Sequence, residues 1–222
     1  MTRLLALFAA LLVPTALAAA APRPWTAVAT PAATGSYLIG NPKARVKLVE
    51  YVSYTCPHCA HLVAESGDTL KSMVRSGSTS VEVRNQVHDK LDLVAATVAR
   101  CAGPAAFPRV HEALFAQQQQ WIERGVTWDQ ANSARMSSQP ELAQLRALAD
   151  GAGIADLART AGAPAQRIAA CFATDAALNR TLEVTRATAK VRGTPAFEIN
   201  GRYVEGVGWA QLEPMLRAAG AR

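Results

Sequence analysis

The sequence predicts an α/β fold in which a β-sheet domain is interrupted by an inserted α-helical domain. Three observations carry this expectation. An apolar, β-branched run at 46–52 leads straight into a Cys-x-x-Cys turn and then a helical pattern. Residues 91–190 are alanine-rich, with helical spacing and no convincing strand. Strand signals then return around the hairpin dipeptide Asn200-Gly201, followed by one last helix. The 222 residues, half of them hydrophobic, are enough for one domain, or one domain plus a large insertion, around a sizeable core.

The elements follow in chain order. Residues 1–18 have the pattern of a secretory signal: Arg3 as a short positive region, an apolar run at 4–13 too short to span a bilayer, and small residues at Ala16 and Ala18. The expectation is cleavage near Ala19 and export, to a bacterial periplasm. Residues 19–34, rich in Ala, Pro and Thr, read as a flexible or weakly extended lead-in, and Trp25 within them has no assignable role. A short strand at 37–39 closes at the turn signal Gly40-Asn41-Pro42. The 46–52 run is a strand buried on both faces, 61–75 is helical, and 80–87 alternates as a second strand with Val81, Val83 and Val87 on one side. Helical runs fall at 91–101, 105–120, 140–149, 154–161, 165–173 and 176–190, with breaks at Gly103-Pro104, Gly125, 151–153 and 162–164. The polar run 117–120 reads as a solvated face. Strands at 195–199 and 203–205 flank the hairpin, and a helix at 209–219 ends at Gly220. The sheet domain thus comprises 35–90 and 191–222, with the helical domain at 91–190.

Composition narrows the function. No stretch reaches the roughly 18 uninterrupted apolar residues of a spanning helix. The formal net charge of +6 is spread out, without a basic stripe interleaved with aromatics, so a nucleic-acid site is not expected.

The chemistry lies in Cys56-Pro57-His58-Cys59, between a buried strand and a helix. Cys56 at the helix start faces unpaired amide hydrogens and the positive end of the dipole, which favour a thiolate. Pro57 suits a first helical turn, having no amide hydrogen to lose. His58 adds a nearby donor that can be cationic. Cys59 is close enough to form or resolve a disulfide. A low thiolate pKa stabilises the reduced pair and makes the disulfide a strong oxidant. Haem attachment needs a His after the second cysteine, where Ala60 stands, and a zinc site needs a second pair that Cys101 and Cys171 do not supply. No metal and no organic cofactor is expected.

The segment 49–59, ending in this motif, resembles the strand and active-site turn of the DsbA family of thiol:disulfide oxidoreductases. Gly193-Thr194-Pro195-Ala196-Phe197 resembles that family's cis-proline loop, and Ile199-Asn200-Gly201 its hairpin. The resemblance covers 37–219 and implies a thioredoxin fold interrupted by a helical insertion. It implies that Cys56 and Cys59 form the redox-active disulfide, with Cys56 taking the substrate thiol and Cys59 resolving. It also implies a cis Thr194–Pro195 bond against the cysteines, with the Thr194 backbone pairing an extended substrate segment. Its implied partners are unfolded exported proteins with cysteine thiols and a membrane quinone-linked protein that reoxidises a monomeric enzyme. Thr before the proline, where enteric oxidases usually carry Val, is also typical of the isomerase branch. A disulfide isomerase or reductase kept reduced by a membrane donor is therefore the alternative, and a non-catalytic peptide-binding or chaperone-like module is a further one.

Weaker signals complete the reading. Glu50 shares a strand face with Val46, Leu48 and Val52, an unfavourable place for a carboxylate. The resemblance matches it to a buried acid that moves protons for Cys59, with Arg84 as the base holding it; the alternative is a surface ion pair. Cys101 and Cys171 lie in separate predicted helices. In an oxidising compartment a structural disulfide between them is the preferred reading, against buried free thiols or a redox role. His61 and His111 read as ordinary surface or boundary residues on helical stretches, and His88, closing a strand, stands at background level. Trp121, Trp128 and Trp209 read as core or junction residues.

Overall fold

The structure, a computed structural model, describes residues 24–27 and 29–222. The signal expected at 1–18 lies outside the described residues. Six strands form one sheet: β1 (Ala29–Pro31), β2 (Tyr37–Gly40), β3 (Val46–Val52), β4 (Thr79–Asn85), β5 (Ala196–Ile199) and β6 (Arg202–Glu205), in the order β1-β2-β4-β3-β5-β6. Helix α1 (Pro57–Arg75) crosses from β3 to its parallel neighbour β4, and every other pairing is antiparallel. Helix α9 (Trp209–Ala219) follows the β5–β6 hairpin.

Strand β3 is central, and six of its seven residues are buried, which is why it reads as a continuous apolar run rather than an alternating one. Val46, Leu48 and Val52 share the main core with Val81 and Val83 of β4, with Leu62 and Met73 of α1, and with Leu212 and Leu216 of α9. Val49 and Tyr51 point to the other face, where they meet Val191 and Ala196.

Between β4 and β5 lie α2 (Lys90–Cys101), α3 (Phe107–Ala116), α4 (Gln118–Met136), α5 (Glu141–Gly151), α6 (Ile154–Thr160), α7 (Ala165–Ala170) and α8 (Ala176–Ala187), a block of helices. Helix α2 is the axis of this block. Val94, Ala95, Ala96, Thr97, Val98 and Ala99 are all buried, so apolar surface surrounds the helix instead of forming one stripe. Cys101 at its end is disulfide-bonded to Cys171, just after α7.

The structure corrects the sequence reading at three places. The lead-in is extended rather than flexible at β1, paired antiparallel to β2 from Ala29↔Ile39 to Pro31↔Tyr37, and Trp25 packs against the core. The run 105–120 is two helices, with Trp121 Nε1 donating to the Leu114 carbonyl across their junction at 2.7 Å. Gly125 does not break the chain, and α4 passes through it. A Cβ there would come within 2.7 Å of Leu91 Cδ1 and 3.1 Å of Ala152, so the glycine permits close helix packing.

The bridge closes a loop with a sequence separation of 70, for which the chain-entropy estimate is about 4 kcal/mol. Replacing both Cys101 and Cys171 with Ala should lower the unfolding free energy by about 2–4 kcal/mol in urea titrations with Cys56 and Cys59 kept in one redox state. Unchanged stability would mean that the bridge does not restrain the unfolded chain.

Candidate active site

Strand β3 ends at Val52 and the chain turns through Ser53, Tyr54 and Thr55, with the Ser53 carbonyl accepting the Cys56 N–H at 3.2 Å. Cys56 is the N-cap of α1 and Pro57 its first residue. The Cys56 carbonyl accepts the N–H groups of Cys59 at 3.1 Å and Ala60 at 3.3 Å, so the cysteine pair occupies one tight turn. Both thiols are free here; Cys56 is 8% exposed and Cys59 fully buried.

The two sulfurs are electrostatically unequal. The hydrogen bond from the Cys59 thiol brings the Cys56 pKa down to about 5 against the opposing effect of burial, aided by the Thr194 side chain and the backbone N–H groups of Cys59 and His58. The same interaction, together with burial, pushes Cys59 up. His58 thus acts on the thiolate through its backbone. Its side chain is exposed and lines a groove of ≈ 560 Å³ with Leu62, Arg192, Thr194, Pro195 and Val207.

The groove's other wall is the loop before β5. Its Thr194–Pro195 bond is cis, and the Thr194 carbonyl accepts the Cys56 thiol at 3.2 Å. Thr194 Oγ1 is buried without a hydrogen-bond partner, leaving its proton available to a thiolate.

Glu50 lies on the core face, 4% exposed, and burial raises its pKa to about 7. It lines a cavity of ≈ 80 Å³ with Ser66, Val81, Val83 and His111. Arg84 does not hold it. In the parallel β3–β4 register Glu50 stands opposite Val83 and Tyr51 opposite Arg84, which puts the guanidinium on the other face of the sheet. There Arg84 Nε and Nη2 donate to Glu82 at 2.8 and 3.0 Å, and Nη1 to the Tyr51 hydroxyl at 3.2 Å.

The residues that sequence reasoning missed come from the helical block. Asp92, wholly buried in α2, accepts the Tyr54 N–H at 2.8 Å and the His88 N–H at 3.0 Å. Asp89, the N-cap of α2, accepts the Thr55 hydroxyl at 2.8 Å. Gln118, the first residue of α4, donates from Nε2 to the carbonyls of Tyr54 and Cys56, both at 2.9 Å. The reading of 117–120 as a solvated face holds for Gln117, Gln119 and Gln120, which are exposed, but not for Gln118, which is buried with its side chain turned inward onto the cysteine turn. His111, read as a surface or boundary residue, is buried against Phe107 and Phe115, with Nδ1 3.0 Å from the Tyr54 hydroxyl; burial lowers its pKa to about 4. The Asp-x-x-Asp opening of α2 is a capping signal that pointed to Asp89. Nothing local in the sequence pointed to Gln118. Among the described residues no group of three or more His, Cys, Asp or Glu side chains is placed to hold a metal ion.

A family model described as Thioredoxin matches residues 32–218. Similar curated proteins include a putative protein-disulfide oxidoreductase of Rickettsia prowazekii, 28% identical over 173 residues, covering 76% of this chain and 55% of the relative. Its counterpart in Rickettsia felis is 29% identical, covering 74% of this chain and 52% of the relative. The chain thus spans about half the length of these curated relatives. Among solved structures, a protein-disulfide isomerase from Novosphingobium aromaticivorans is 34% identical with a TM-score of 0.72, covering 82% of this chain and 95% of that one. The alpha-DsbA1 of Wolbachia pipientis, 18% identical with a TM-score of 0.59 over 83% of this chain and 90% of that one, shares the fold.

Glu50 provides a signed pH test. Its folded pKa of about 7 lies above the ordinary 4.5, so between these values the folded state keeps a proton that the unfolded state has released. Its contribution to stability is therefore complete below pH 4.5 and is lost as pH rises towards 7. In urea titrations of the oxidised protein, where neither Cys56 nor Cys59 titrates, Glu50→Gln should match the wild type at low pH and exceed it above pH 7. A constant offset at every pH would contradict the assignment.

Proposed function

The chain belongs to the thioredoxin family, and from that premise we propose that it is an exported protein-disulfide oxidoreductase that introduces disulfides into newly exported proteins. The observation that carries this reading is the inequality of the two sulfurs: a thiolate-favouring Cys56 against the Thr194 carbonyl beside the groove, and a fully buried Cys59 whose pKa is raised. In the oxidised enzyme a substrate thiolate attacks Cys56 Sγ, the Cys56–Cys59 bond breaks, and Cys59 leaves and takes up a proton. A second substrate thiolate attacks the substrate sulfur of the mixed disulfide and releases Cys56 as a thiolate. Two electrons pass from the substrate to the cysteine pair, and the stability of the released thiolate drives the second step.

Pro195 and Thr194 line the groove beside Cys56, which suits an extended substrate segment lying across the cysteine. The secretory pattern at 1–18 and the Cys101–Cys171 bridge support an oxidising compartment, which we take to be the periplasm. Reoxidation then falls to a membrane quinone-linked protein, and the enzyme works as a monomer. Thr194 and the isomerase from Novosphingobium aromaticivorans favour a second reading, in which the pair is kept reduced and reshuffles wrong disulfides.

The test is equilibration in graded glutathione buffers, with thiols trapped by alkylation and each cysteine read by mass spectrometry. The proposal expects Cys56 and Cys59 to stay reduced until the buffer is strongly oxidising, with glutathione mixed disulfide only at Cys56. A pair that remains oxidised well into reducing buffers would overturn the oxidase reading.

A further inference from the structure

The exchange chemistry just proposed depends on the peptide groups around Cys56, and these are gripped from outside the sheet domain. We infer that Gln118 and Asp92 are positioning residues through which the helical block sets the geometry of the redox turn. The inference rests on the proposed thiol chemistry at Cys56 and extends it to residues that touch neither sulfur.

Residue 54 is held at both ends. Its N–H donates to Asp92 Oδ1 at 2.8 Å and its carbonyl accepts from Gln118 Nε2 at 2.9 Å. The second proton on that nitrogen goes to the Cys56 carbonyl, also at 2.9 Å. A carboxamide is suited to this task, since its NH₂ group offers two donors from one atom, whereas a carboxylate offers acceptors and an aliphatic chain neither. The Cys56 carbonyl is at the same time the acceptor for the N–H groups of Cys59 and Ala60. Its direction therefore sets the first turn of α1, and with it the aim of the His58 and Cys59 N–H groups that stabilise the thiolate. Take away the carboxamide and two buried carbonyls lose a donor, and the turn must rotate to find replacements. Asp92 restrains the opposite edge, and its carboxylate is occupied by Tyr54 and His88.

Of the titratable side chains around the turn, Cys59 acts on Cys56, Asp92 and Asp89 bond residues 54 and 55, and His58, His61, Glu65, Arg192 and Glu205 line the adjoining groove. Gln118 never ionises. A change in the thiolate on replacing it reports geometry, not the removal of a charge.

The experiment compares wild type with Gln118→Leu, and with Gln119→Ala as a control. The exposed Gln119 bonds only to Glu123 among the described residues. Two quantities are read: the pH midpoint of the thiolate's ultraviolet absorbance in the reduced protein, and the equilibrium constant with glutathione. In Gln118→Leu the midpoint should rise by about half to one pH unit, and the protein should become about three- to tenfold less oxidising. The control should not move. Thermal unfolding should drop more for the reduced variant than for the oxidised one. Should Gln118→Leu fail to fold, Gln118→Asn, one methylene too short to reach, reads the same midpoint. An unshifted midpoint, with melting lowered equally in both redox states, would reduce Gln118 to a packing role and overturn the inference. The titration does not require turnover. A Gln118-dependent midpoint in a protein that catalyses no exchange would sink the oxidoreductase reading and leave the clamp standing, whereas active exchange with an unmoved midpoint would do the reverse.

Discussion

The confinement of Cys56 and Cys59 to one helical turn is the constraint on which the rest of the site depends, and it needs a particular backbone. Two cysteines separated by two residues meet in this way because Cys56 caps α1 and Cys59 closes its first turn onto the Cys56 carbonyl. Strand β3 fixes where that helix starts. Buried on both faces and paired on both edges, it cannot slip without turning Glu50 and Tyr51 to the wrong sides of the sheet. That closeness lets the Cys59 thiol lower the Cys56 pKa against burial, while the same contact, together with burial, raises that of Cys59.

Such a site is built from groups whose partners are incomplete on the sheet domain alone. The turn at 53–56 lies outside both β3 and α1, so its peptide groups need partners from elsewhere, and a buried peptide group without one is unfavourable. Asp92 and Gln118 supply them from α2 and α4, while Asp89 takes the Thr55 hydroxyl and His111 of α3 meets the Tyr54 hydroxyl. Burying Asp92 raises its pKa to about 6, an opposing effect only partly offset by the donors around it. Within the block the alanine-rich α2 is buried among its neighbours, and the bridge ties its end to the end of α7.

Much of this was legible in the chain because the signals are local. Val46–Val52 shows its burial by composition, Cys56 its place at a helix start by following a strand, and Thr194-Pro195 its cis bond by its motif. What escaped depends on distance. The misassignment of Arg84 as the partner of Glu50 came from matching a family position without the register, which a parallel pairing of β3 with β4 settles. Gly125 looked like a helix breaker because its neighbours Leu91 and Ala152 are remote in sequence. Gln118 sat in a run of like residues, and only the approach of α4 to the turn distinguishes it from Gln119. The edge strand β1 is short and contains Pro31, so its pairing with β2 leaves almost no pattern to read.

The central claim is that folding stabilises the Cys56 thiolate and thereby strains the equilibrium towards the reduced pair. Linkage gives the sign: a thiol whose folded pKa is about 5 against an ordinary 9 contributes stability that is complete above 9 and lost as pH falls through 5. The most direct measurement is the unfolding free energy of the oxidised and reduced proteins, side by side in urea at neutral pH and again near pH 5. The reduced protein should be the more stable at neutral pH, with its advantage shrinking towards pH 5. An oxidised protein more stable than the reduced one at neutral pH would contradict the account.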